Sequence, residues 1–206
     1  HCKNQIKSHP NFMRIAIPFK WHGRYWSNKF IEWLSQLEFS TTFGKASLDA
    51  LILELKALRS ILANLLKTIH ELSKSPEFQM PIKLLQSLPG VGLISSMVIY
   101  TELVDIRRFK NLDRLASYVG LIPDVRASRE SEKVGDINRR GNTFIKAILI
   151  QCAWRAARED PALLLVFQKM SQRMKKNQAI IRIAKKLLSR IRFVLLNNVE
   201  YQTLVI

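Results

Sequence analysis

Leu84-Leu85-Gln86-Ser87-Leu88-Pro89-Gly90-Val91-Gly92-Leu93 is the stretch on which the reading of this chain turns. Leu84, Leu85 and Leu88 lie at helical spacing before it, and Leu93, Met97, Tyr100 and Val104 continue the same period after it. The Pro-Gly-Val-Gly break between two apolar helical patterns predicts two helices joined by a tight corner. Such a corner has the form of a helix-hairpin-helix. The Gly90-Val91-Gly92 turn would aim backbone amides at the start of the second helix, where a phosphate is favoured and no base is read. The plain alternative is a corner that binds nothing.

Five of the seven glycines (Gly90, Gly92, Gly120, Gly135 and Gly141) fall within residues 84–146. Downstream of the corner, helices are expected at 111–118, capped by Asn111, and at 142–158, where apolar residues occupy more than one face. Between them, 120–141 reads as a long loop holding Ser128 among Arg126, Arg129, Arg139 and Arg140. A serine in a polar, arginine-rich loop is a candidate nucleophile toward a DNA phosphate, with the guanidinium groups holding the phosphate and stabilising developing charge. The bland alternative is a loop serine capping a turn.

Residues 45–73 give the clearest helix. Leu48, Leu51, Leu55, Leu58, Leu62, Leu65, Ile69 and Leu72 follow a heptad seam without an internal Gly or Pro. A seam this long favours a partner helix, and Pro76 marks the stop that follows. Before it, residues 1–44 form a basic, aromatic-rich segment in which Trp21, Trp26, Phe30 and Trp33 suit core packing better than base stacking. Asp160-Pro161 opens another helix. From 161 to 199 the chain has nine Lys and Arg and no acidic residue, interleaved with Ile180, Ala184, Leu187, Leu188, Ile191 and Val194. This basic amphipathic block, including Lys175, Lys176, Arg182, Lys185 and Lys186, is a candidate phosphate-backbone surface.

A net charge of +17 with a pI near 10.3 points the same way, to a polyanionic partner. No apolar run is long enough for a membrane span. Cys2 and Cys152 show no disulfide or metal spacing, which fits reduced thiols in a cytoplasmic protein, and no metal set is expected in the chain. The expected fold is all-α, organised as 1–44, a coiled coil at 45–75 and a helical domain at 80–206. The start at His1 and the direct entry into a basic stretch read as a fragment.

Taken in order, Leu88-Pro89-Gly90-Val91-Gly92, Arg107-Arg108-Phe109, Leu115-Ala116-Ser117-Tyr118-Val119-Gly120-Leu121-Ile122-Pro123, Ser128 and Gly135-x-Ile137-x-Arg139-Arg140-Gly141-Asn142 resemble the C-terminal half of IS110-family insertion-sequence transposases. These are relatives of the Piv invertase and are known as bridge-RNA-guided recombinases. The resemblance implies that Ser128 attacks the DNA backbone together with an acidic DEDD site in a RuvC-like N-terminal domain that holds Mg2+ and is missing from this stretch. It implies DNA and a structured guide RNA as partners, homo-oligomers through the coiled coil, and a place at the bacterial nucleoid. Relatives usually carry a glycine directly after the serine, where this chain has Arg129. The competing reading is a non-catalytic helix-hairpin-helix module for nucleic-acid binding and dimerisation.

Overall fold

The computed structural model describes residues 1–23, 25–128, 131–137 and 141–202, with backbone alone at 123–128 and 131–137. Two compact units divide the chain, His1–Thr68 and Ile69–Ile206. Among the described residues the regular elements are helices and one two-stranded ribbon.

The first unit holds α1 (Cys2–Phe12), α2 (Asn28–Ser35) and most of α3 (Thr42–Leu72). Ser27 caps α2 by accepting from the Phe30 amide. Phe30 is fully buried, and Trp21, Tyr25, Trp26 and Trp33 set their rings around it at 5.4–5.7 Å. Lys3, Lys7 and Lys20 lie over the faces of Trp26, Tyr25 and Trp21. The aromatic segment is therefore a core that the chain's own lysines cover, as its spacing predicts.

The heptad seam of α3 is split in its surroundings. Leu48 and Leu55 are buried with Ile6, Phe30 and Leu34. Leu58, Leu62 and Leu65 are each about half exposed, at 48%, 57% and 56%.

In the second unit, α4 (Pro76–Gln86) and α5 (Leu93–Leu103) make the corner. Next come α6 (Leu112–Val119), α7 (Thr143–Glu159), α8 (Pro161–Ser171) and α9 (Lys176–Asn197). Asn111 accepts from the Arg114 amide at 3.0 Å and caps α6, and Asp160 caps α8 through the Leu163 amide at 2.8 Å. α9 packs on α4, α6, α7 and α8, with Ile183, Ala184, Leu187, Leu188, Ile191 and Val194 sealed from solvent. That face is the centre of the core, so the basic residues of α9 occupy the remainder of its surface.

One expectation is corrected. The span 120–141 contains an antiparallel ribbon, β1 (Pro123–Ser128) and β2 (Ser131–Ile137), where the sequence reads as a loop. Val125 pairs with Val134 and Ser128 with Ser131, with an irregularity between Pro123 and Val125. The β-branched pair favours this pairing. Asp124, Arg126, Glu132, Lys133 and Asp136 dilute the alternation below what a sequence scan picks out.

Candidate functional site

The ribbon leaves the helical body between two glycines. Gly120 ends α6 in the left-handed conformation (φ +80°), and the Leu121 amide returns to the Ala116 carbonyl at 2.8 Å. At the other leg, a Cβ on Gly141 would fall 2.4 Å from the Cα and N of Gly120. The two legs thus pass in backbone contact, which admits no side chain at Gly141. Asn142 follows at once. Its amide donates to the Tyr118 carbonyl at 2.9 Å, and its Oδ1 accepts from the Phe144 and Ile145 amides at 3.1 and 3.2 Å, capping α7. Ser128 closes β1 opposite Ser131, and Arg126 stands opposite Lys133 on the same ribbon. Arg129, Arg139 and Arg140 lie outside the described residues.

The α4–α5 corner has its own geometry. Gly90 adopts φ +82°, and a Cβ there would meet the Ala156 nitrogen and Cys152 oxygen at 2.5 Å, so the turn is pressed against the backbone of α7. The three amides of the turn are engaged inside the chain. Gly90 N–H donates to Glu159 Oε2 (2.9 Å), Val91 N–H to the Leu88 carbonyl (3.1 Å) and Gly92 N–H to Ser95 Oγ (2.9 Å). Arg155 Nε donates to the other oxygen of Glu159 at 2.6 Å. That bond holds the Glu159 carboxyl below the usual carboxylate range, against the opposing effect of burial. A shallow cavity of about 380 Å³ lies over the turn, lined by Gln86 to Gly92, Arg155 and Glu159.

The basic block separates into two groups. Lys175, Lys176, Arg182 and Lys186 are exposed and make no ion pair with the described residues. Lys169 and Arg173 are exposed beside them. Three others face the body. Lys185 pairs with Asp113 at 3.0 Å, Arg190 with the fully buried Asp160 at 2.7 Å, and Arg192 reaches the Phe109 and Lys110 carbonyls at 3.4 and 3.3 Å. Sequence spacing places all of these on a basic helix but does not tell the inward cations from the outward ones. Among the described residues no three His, Cys, Asp or Glu side chains gather to hold a metal ion, and no helix is long and apolar enough to cross a membrane.

Sequence reasoning passes over Glu102 and sees Asp160 only as the opening of a helix. Asp160 Oδ2 accepts from Arg190 and from the Tyr201 hydroxyl (2.9 Å), while Oδ1 caps α8. Only the Asp-Pro pair hints at the cap, and nothing local announces the other two partners.

Residues 82–168, from the end of α4 through the ribbon to α8, match the model of the Transposase IS116/IS110/IS902 family. The chain is 34% identical over 68 residues to a Coxiella burnetii protein named as the transposase for insertion sequence element IS1111A, covering 33% of this chain and 19% of that one. It is 30% identical over 137 residues to a 43.6 kDa protein of insertion element IS110 from Streptomyces coelicolor, covering 62% of this chain and 34% of that one. These matches span at most about a third of the curated relatives' own lengths. Over residues 82–168, then, the chain is similar to transposases of the IS116/IS110/IS902 family.

Proposed function

We propose that this chain is the serine-bearing, nucleic-acid-engaging part of a DNA transposase. The observation that carries the reading is the position of Ser128 at the end of β1, on a ribbon rooted in the family-matched domain and shared with Arg126. In the proposed step the Ser128 hydroxyl loses its proton and bonds to a backbone phosphorus as the bond to the departing sugar oxygen breaks. Arg126, with Arg129, Arg139 and Arg140 from the same stretch of sequence, balances the charge that builds on the phosphate. Acidic residues that hold the assisting divalent cation come from a RuvC-like domain outside these 206 residues.

The exposed cations of α9 and the α8–α9 junction hold the nucleic-acid backbone, in DNA and in a structured guide RNA. The corner at Gly90 serves as the packing point of α7 in this reading, because its amides are already engaged. The half-exposed leucines of α3 meet the same residues of a second copy.

The test has two parts. Binding of duplex DNA by this chain across a salt series should weaken steeply. Alanine at Lys175, Lys176, Arg182 and Lys186 together should lower the log–log slope by about 0.9 for each phosphate that is no longer neutralised. In the protein rejoined to its acidic domain, Ser128→Ala should abolish strand transfer while leaving that binding intact. Transfer by the Ser128→Ala protein would remove the nucleophile and leave the non-catalytic binding module as the reading.

A further inference from the structure

The hydrogen bonds at the root of the ribbon converge on Glu102, in the last turn of α5. Asn142 Nδ2 donates to Glu102 Oε2 at 2.6 Å, joining residues 40 apart in sequence. The Tyr118 hydroxyl donates to the Glu102 carbonyl at 3.1 Å, and the Tyr118 carbonyl accepts from Asn142. The Arg108 guanidinium lies 4.6 Å from the ring of Phe109 and 4.8 Å from that of Tyr118. The end of α5, the end of α6 and the start of α7 are thus tied together where the two ribbon legs cross.

Capping α7 does not by itself call for an asparagine, since Asp, Ser and Thr cap comparably. Aspartate lacks a donor, and a serine or threonine hydroxyl must accept and donate from one oxygen, whereas the Asn142 amide accepts from the helix amides with Oδ1 and donates to the carboxylate with Nδ2. The bond to Glu102 is charge-assisted and stronger than a neutral one, so it fixes the orientation of the Asn142 amide plane as well as its place. Gly141, immediately before it, has no room to shift against Gly120.

We propose that Glu102 is a positioning residue. Acting through Asn142, it sets the direction in which β1–β2 leaves the helical body, and so the place where Ser128 is held. The consequence for strand transfer rests on the reading of Ser128 as the nucleophile; the steering of the ribbon does not.

Asn142→Asp isolates the bond. Aspartate keeps the cap but sets a carboxylate against Glu102, and two charged carboxylates do not share a hydrogen bond without a proton. Adding Glu102→Gln to the same protein restores a donor and an acceptor with their roles exchanged. Two readouts are taken near pH 7.5: strand transfer by the protein rejoined to its acidic domain, and the rate of tryptic cleavage within 123–140 in the 206-residue chain. Asn142→Asp should lower transfer by about tenfold or more, the scale on which small displacements act, and should speed cleavage. The double variant should recover transfer to within about threefold and slow cleavage again. A residue that only adds stability would lower the melting temperature without this reciprocal rescue. If Asn142→Asp leaves both readouts unchanged, or the double variant recovers neither, the proposal is overturned. If Ser128→Ala still transfers strands, the nucleophile reading falls, and the cleavage rates alone decide whether Glu102 steers the ribbon.

Discussion

Asp160→Ala is expected to cost the second unit more than any exposed charge in the chain. Asp160 is fully buried, and its carboxylate holds three donors at once: the Leu163 amide, Arg190 and the Tyr201 hydroxyl. Losing the cap removes about 1 kcal/mol, and losing the hydrogen bonds to a charged acceptor removes about 1.5–3 kcal/mol more. Arg190 keeps 22% of its side chain in solvent, so the stranded cation recovers part of its hydration and the sum stays at about 2.5–4 kcal/mol. At about 2–4 °C per kcal/mol, the melting temperature should fall by roughly 5–16 °C.

The pH dependence of that cost carries a sign. Burial alone would push the Asp160 carboxyl up, but the bonds from Leu163, Arg190 and Tyr201 outweigh it and hold the group below its ordinary value. A depressed carboxylate stabilises the folded state above the unfolded value of about 3.9, and that stability is lost as pH falls through the folded value. The gap between the wild-type protein and Asp160→Ala should therefore be full at pH 7 and shrink in acid. Calorimetry at pH 7 and at descending pH measures it, with Arg190→Ala and the double variant completing a cycle. A loss below about 1 kcal/mol at pH 7, or additive single losses in the cycle, would refute the reasoning.

Two further outcomes can be measured on the same chain. Gly90→Ala forces a side chain into φ +82°, at about 1–2 kcal/mol, and drives its Cβ to 2.5 Å from the α7 backbone. Chemical denaturation should show a loss above about 3 kcal/mol, whereas a loss near zero would mean that the corner is not pressed on α7. Leu62→Glu with Leu65→Glu places charges on the half-exposed seam of α3; sedimentation should move from an associated species to a monomer, and a wild-type chain that sediments as a monomer would remove the self-association proposal.

The parts of this fold that sequence reveals are the ones whose signals are local. Asn111 before Leu112, Pro161 after Asp160 and the leucine period of α3 each act within a turn or two of helix, and each lies where its spacing predicts. The ribbon escapes because its pairing energy sits in a few residues such as Val125 and Val134, between charges. Lys185, Arg190 and Arg192 look the same as Lys186 in sequence, yet Asp113, Asp160 and the carbonyls that engage them are 30 or more residues away. Glu102 gives no local sign at all, because its role is set by Asn142 across the domain.

The meeting of Gly120 and Gly141 has a bearing on how such domains diversify. Because the legs touch, the residues between them form a cassette with adjacent ends, and the α6–α7 junction closes beneath it through the Leu121–Ala116 and Asn142–Tyr118 bonds. A cassette attached at one point can be lengthened, shortened or exchanged with little strain on the helices below. Selection for new chemistry on the ribbon and selection for a stable core can then proceed along the same chain with little conflict.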